Sequence, residues 1–525
     1  MHRAWGRLRG TLVAVVVTAV AAAGCGAPRA DWRAPSGGAA SSPGASGSPA
    51  EPADGVVRWR NCASEAKAVL GVTPRNFAFD CGTVPVPRDW NTAENGKAVD
   101  GRTFDIALIR ARSTRQTDRI GSLLINPGGP GASGVDYSVY LSTLAPDVAA
   151  RFDIIGFDPR GVERSATVDC FADADLDASF GYEPDPATLA AFSGAVDISR
   201  RLVTACATKY GEDLRLYSTE QAARDMDAIR AAVGDDKLSY LGYSYGTLLG
   251  AVYAQLYPRN IRAMVLDGAV DPTESPIEAT EGQARGFERA FGNFAEWCRG
   301  NASDCPIGPD ARATVTALLN SARTGPVAGQ GRSATAGWVF TAIVSSLYSR
   351  ETWEKLATSL DELRQGKPDG IFQLADAYAD RDASGRYSNL FDANATINCT
   401  DSDKYPAVEQ IRTLQAQWRA KYPLFGAPLA VGLLGCALWP GKHDPYPVGQ
   451  AVGAPPIVVV GTTGDPATPY ESTAKLARML GVGTVLTWEG EGHTAYPETT
   501  CIRRAVNGYL IDLKVPAPNL TCPAS

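Results

Sequence analysis

Histidine is scarce in this 525-residue chain, which has only His2, His443 and His493. A mechanism that needs an imidazole to titrate near neutral pH therefore has few places to put one. None of the eleven cysteines stands in a C-x-x-C spacing, so the usual zinc and dithiol redox signatures are absent. The net charge is a mild −7 and no run of lysine and arginine occurs, which removes the electrostatic footprint of a nucleic-acid binder. No internal repeat is visible. The apolar stretch from about Leu12 to Ala23 is too short to span a bilayer comfortably. With 45% hydrophobic and 20% charged residues, the composition is that of a globular protein, and disorder throughout is excluded.

What is present begins with an address. Arg3, Arg7 and Arg9 precede the short apolar stretch, so residues 1–24 read as an export signal. Ala22, Ala23 and Gly24 stand directly before Cys25, as in a bacterial lipoprotein processing site where that cysteine is lipidated. The plainer alternative is cleavage after the alanines, leaving Cys25 a spare thiol. Cysteine parity favours lipidation, because removing Cys25 from eleven leaves ten that can all pair. Local pairing predicts Cys62–Cys81, Cys170–Cys206, Cys298–Cys305, Cys399–Cys436 and Cys501–Cys522, as suits an oxidised, exported protein. Residues 25–57, rich in Gly, Ser, Ala and Pro, form a tether that would hold a folded domain off a membrane.

Residues 58–270 read as the first part of the core, and from residue 103 onwards short β-rich runs such as "TFDIALIRA", "GSLLINPGG", "FDIIGFD", "LSYLGYS" and "AMVLDGA" alternate with helical stretches. Several are almost wholly apolar, as expected for strands covered on both faces of a mostly parallel α/β sheet. The rhythm stops between 271 and 440, where amphipathic helices dominate, and resumes in 441–525 with "PPIVVVGTTGD" and "GTVLTWEGEGHTAY". One sheet interrupted by a helical insertion is the economical architecture.

In "LSYLGYSYGTLLG" a strand, a turn and a helix meet at Ser244, with glycines two residues away on either side. Such a turn lifts a hydroxyl clear of its neighbours, but a serine needs a base to take its proton. His493, just after a predicted strand, is better placed than His443 in its proline-rich stretch. The base needs an acid. Asp465 follows the strand "IVVVG", and Asp267 is its rival at the end of another strand; the longer turn favours Asp465. In "INPGGPGASG" successive glycines present backbone N–H groups to a substrate oxygen, and with the Tyr245 N–H would form an oxyanion hole. The same glycines, Gly129, Gly131 and Gly134, also match a dinucleotide fingerprint, with Asp153 or Asp158 for the ribose. Pro130 inside the motif, export, and an unexplained serine turn all weigh against that.

The blocks "NPGGPGASG", "FDPRGVERS", "GYSYGT", "DGAVDP", "GDPATP" and "GHT" resemble those of exported actinobacterial tripeptidyl aminopeptidases of the α/β-hydrolase fold, relatives of the proline iminopeptidases. The resemblance runs from about Trp59 to Cys522. It implies a helical cap over a Ser244–Asp465–His493 site, Gly129 and Tyr245 as oxyanion donors, and peptide substrates held by a free N-terminal amine. It makes Asp401 in "INCTD" a candidate anchor for that amine, and Asp158 with Arg160 a structural pair. No cofactor, metal, nucleic acid or obligate protein partner is implied, and the membrane is reached through a lipid on Cys25. Where iminopeptidases often have histidine before the glycines, this chain has Asn126 and Pro127, as the exported branch does. The competing functions are an esterase or lipase with the same triad, and a non-catalytic surface protein.

Overall fold

The computed structural model describes residues 57–72 and 74–524; the predicted signal and the tether up to residue 56, with Cys25, lie outside the described residues. In chain order the strands are β1 (Arg60–Asn61), β2 (Phe77–Pro87), β3 (Thr103–Ser113), β4 (Gly121–Asn126), β5 (Phe152–Phe157), β6 (Leu238–Tyr243) and β7 (Ile261–Asp267). They continue with β8 (Val327–Gly329), β9 (Arg332–Ala334), β10 (Ile457–Gly464), β11 (Gly483–Glu491) and β12 (Leu520–Cys522). All but the small β8–β9 hairpin join one sheet, ordered β1-β2-β3-β5-β4-β6-β7-β10-β11-β12. From β5 to β12 neighbouring strands are parallel, whereas β1, β2, β3 and β5 pair antiparallel.

Every residue of β4, β5 and β6 is buried, because helices cover both faces. Leu124, Tyr240, Leu266 and Val459 point into one core with Met226 and Ile229, while Leu123, Leu241, Val265 and Val460 point into the other with Val139 and Val506. The period of two in side-chain direction thus sorts one apolar run between two cores. The strand order reverses between β4 and β6. At such a switch point the loops leaving adjacent strands diverge and open a crevice, and the two loops here are Pro127–Ser133 and the Ser244 turn.

Between β7 and β10 the chain forms a helical layer with its own core, in which Phe287, Phe291, Phe294, Trp338, Trp353, Phe372 and Phe425 pack together. It opens with helix Pro276–Gly300, whose start is fixed by a Ser275–Glu278 capping box with proline in the first turn. Helix Leu189–Tyr210, from between β5 and β6, adds Phe192 and Val196 against Trp418 and Tyr422 in the same layer. All five expected disulfides are formed.

One expectation is corrected. Asp158 and Arg160 do not pair with each other. Arg160, 1% exposed, is held by both oxygens of Asp225 at 2.6 and 2.7 Å and donates to the carbonyls of Pro87, Arg88 and Leu216. Asp158 instead accepts from Ser133 Oγ, the Val135 N–H and Arg164. The two side chains meet different helices: Arg160 is held by Asp225 of helix Thr219–Ala232, and Asp158 by the start of helix Gly134–Leu144.

Candidate active site

Ser244 sits between β6 and helix Tyr245–Leu256 at φ 54°, ψ −124°, a region that non-glycine residues seldom occupy. The turn is held by its own N–H, which donates to the Asp267 carbonyl at 2.8 Å, and by Thr247, whose N–H and Oγ1 both donate to the Ser244 carbonyl. Gly128, φ 99°, lies against it so closely that a side chain there would put Cβ 2.9 Å from Ser244 Cβ and 3.0 Å from Tyr245 N. The glycine loop after β4 and the serine turn after β6 therefore line one small space, with Gly129 next in the loop.

On the other side, His493 follows β11. Its Nδ1 lies 3.0 Å from each carboxylate oxygen of Asp465, which leaves Nε2 as the nitrogen free to take a proton. Asp465 is fully buried in the turn after β10, where it accepts the N–H groups of Ala467 and Thr468 at 2.9 Å each, the Thr468 hydroxyl at 3.0 Å and the Thr494 N–H at 3.2 Å. A carboxylate with that many donors is fixed in place and orients the ring. The serine and histidine segments meet at the end of β7: Asp267 binds the Ser244 N–H, and a Cβ on adjacent Gly268 would lie 3.3 Å from His493 Cε1. Burial lowers the His493 pKa, but the charge and hydrogen bond of Asp465, helped by Asp267, outweigh it and the net shift is upward.

The two rivals are engaged elsewhere. His443 Nδ1 is 2.8 Å from the Cys399 carbonyl. The Asp267 carboxylate accepts the backbone N–H groups of Ala495 and Tyr496 rather than an imidazole proton. Asp401, only 7% exposed, accepts the Thr219 N–H at 2.8 Å and its hydroxyl at 2.6 Å, and Thr219 Oγ1 is 2.6 Å from the Tyr245 hydroxyl. Burial pushes the Asp401 carboxyl up to about 8 against the pull of the Thr219 hydrogen bonds, with Asp444 adding to the rise.

Sequence reasoning missed the groups that the helical layer contributes. The Tyr348 carbonyl accepts the His493 N–H at 2.8 Å, and its ring stands edge-on to the imidazole at 5.3 Å. Asn394 Nδ2 donates to the Pro130 carbonyl at 3.0 Å, tying the glycine loop to helix Leu390–Thr400. Arg289 donates to the Asp465 carbonyl at 3.3 Å. Nothing in local sequence flags these residues, because each acts through a tertiary contact from a helix or, for Tyr348, from the residue just after helix Ala336–Leu347.

A parallel sheet with helices on both faces, a serine in a strained strand-to-helix turn and a histidine held by a buried aspartate define a serine hydrolase. A family model described as "alpha/beta hydrolase fold" matches residues 121–499. The chain belongs to the α/β-hydrolase fold family. It is 38% identical to "Serine protease Hip1" of Mycobacterium tuberculosis over 474 residues, 84% of this chain and 87% of that one. It is 37% identical to "Carboxylesterase B" of the same species over 513 residues, 93% and 94% of the two chains. Against "Tripeptidyl aminopeptidase" of Streptomyces lividans it is 30% identical over 482 residues, 89% and 86% of the two.

Proposed function

We propose that this serine hydrolase is an exported, lipid-anchored aminopeptidase that releases short peptides from free N-termini through Ser244, His493 and Asp465. The observation that carries the reading is the clamp of Asp465 on His493 Nδ1, which fixes the tautomer a general base needs. Ser244 attacks the scissile carbonyl as His493 takes its proton. The Tyr245 and Gly129 N–H groups stabilise the oxyanion, and His493 then protonates the leaving amine and activates water. No metal or cofactor enters these steps.

Peptide chemistry is favoured by the relatives named serine protease and tripeptidyl aminopeptidase. Asp401 adds a physical argument for a free amine. Among the described residues no lysine or arginine forms an ion pair with this buried carboxyl, so an incoming ammonium would supply the missing countercharge and restore the ionised form. The export signal and a lipid on Cys25 complete the proposal; incorporation of an alkyne fatty acid that is lost in Cys25→Ser checks the anchor.

A second reading has support from the relative named carboxylesterase B, since the same three residues cleave esters. Paired peptide-aminomethylcoumarin and ester substrates, each free and N-acetylated, separate the two. An aminopeptidase loses at least tenfold in kcat/KM on acetylation, whereas an esterase is indifferent to it. Ser244→Ala should abolish turnover of every substrate and labelling by a fluorophosphonate; retained turnover would end both readings.

A further inference from the structure

We propose that Asp267 is a positioning residue of this site, a buried carboxylate that ties the turn after His493 to the strand end that also holds the N–H of Ser244. The inference rests on the assignment of Ser244 and His493 as nucleophile and base. Asp267 is fully buried at the end of β7. Its backbone carbonyl accepts the Ser244 N–H at 2.8 Å. Its side chain binds the turn after His493: Oδ2 accepts the Tyr496 N–H at 2.7 Å, and the Ala495 N–H lies 3.0 and 3.1 Å from the two oxygens. One residue thus sets the spacing between the serine turn and the histidine turn, whose mutual geometry decides whether a proton can pass.

Its charge matters as well as its hydrogen bonds. The titratable groups that interact with it are His493 and Asp465, together with Tyr243 from β6 and Tyr137 from helix Gly134–Leu144. Among the described residues no cation forms an ion pair or hydrogen bond with it. Burial pushes its carboxyl up to about 7, held down partly by the Tyr496 and Ala495 N–H groups and by His493. When ionised it raises the basicity of the imidazole beside the Asp465 contribution. A residue that merely filled space here would need neither the carboxylate nor the two consecutive N–H donors, and a buried charge is otherwise costly to keep.

The test compares Asp267→Asn, which keeps a hydrogen-bond acceptor but removes the charge, with Asp267→Ala, which removes both. Peptide turnover, the rate of fluorophosphonate labelling of Ser244, and histidine-selective NMR are followed across pH; three histidines in the chain make the His493 signal easy to assign. Asp267→Asn should lower kcat and the labelling rate about tenfold, leave KM within twofold, and move the His493 titration downward. Asp267→Ala should lower kcat about a hundredfold. An Asn variant with wild-type kcat and an unmoved His493 titration overturns the proposal. Should neither variant fold, the wild-type spectrum decides: a His493 shift that carries a second step near 7, where Asp267 titrates, supports it, and a curve without that step overturns it. Full activity in Ser244→Ala would instead refute the underlying assignment, so the two failures are distinguishable.

Discussion

His493 is pulled two ways, and the balance sets the working pH. Burial disfavours the imidazolium, yet Asp465 and Asp267 hold negative charge close enough to raise the pKa above the ordinary 6.5. The base must be neutral to accept the serine proton, so activity is lost as pH falls through that raised value. The acid limb of kcat/KM should have its midpoint above 6.5. In Asp465→Asn the limb should move down, because the largest favourable charge is gone, and kcat should fall by roughly 10³–10⁴ through the wrong tautomer, with KM little changed. A limb that stays in place would show that another group sets it. At this scale the sequence is informative where a residue type is rare: with His2 in the predicted export signal and His443 in a proline-rich stretch, His493 stands out as the candidate base. Asp465 over Asp267 was legible only as a turn-length argument, and the structure supplies its physical reason, since Asp465 faces the ring while Asp267 faces the following backbone. Partners such as Tyr348 and Asn394 are illegible because no local pattern distinguishes them from their neighbours in the chain.

Each loop of the site leans on a different piece of the helical layer. Tyr348 holds the histidine turn, Asn394 the glycine loop, and helix Pro276–Gly300 the acid turn. The last contact is close: a Cβ on Gly286 would lie 2.4 Å from the Pro466 carbonyl oxygen and 3.3 Å from that of Asp465. Gly→Ala inside a helix ordinarily stabilises by about 1 kcal/mol. Here the sign reverses, since neither the helix backbone nor the turn can give way cheaply. Gly286→Ala should cost about 1–3 kcal/mol in urea unfolding and lower kcat more than tenfold by displacing Asp465. Gly292→Ala in the same helix, where nothing lies within 4 Å of the added methyl, should show neither effect. Elements were legible in proportion to how they are buried. β4, β5, β6 and β10 are apolar runs covered on both faces and stand out in sequence. β2, "FAFDCGTVPVP", was not anticipated; its prolines, glycine and aspartate suit the antiparallel margin of the sheet and hide the strand pattern.

Taken as a whole, the fold holds several carboxyls that burial pushes upward: Asp401 to about 8, Asp267 and Glu163 to about 7, and Asp392 to about 6. In the unfolded chain such groups titrate near 4. Between that value and its folded pKa each binds more protons in the native state than in the unfolded one, so stability falls as pH rises, by up to about 1.4 kcal/mol per pH unit for a group fully in its window. The raised pKa of His493 acts in the same direction above 6.5. The thermal midpoint should therefore fall steadily as pH rises from about 4, where these carboxyls titrate in the unfolded chain, to about 8, the highest folded value among them. Asp401→Asn should flatten that decline while raising KM for substrates with a free amine and sparing N-acetylated ones. A midpoint that rises from pH 5 to 8 would contradict the whole set of shifts. Activity has the opposite slope, because it needs His493 neutral and the carboxylates that support it ionised. The buried charges that make the site competent thus weaken the fold across the same pH interval, and a bound ammonium at Asp401 should recover part of the loss. Scanning calorimetry at pH 8 with a non-hydrolysable free-amine peptide should show a rise in midpoint that its N-acetylated form does not give.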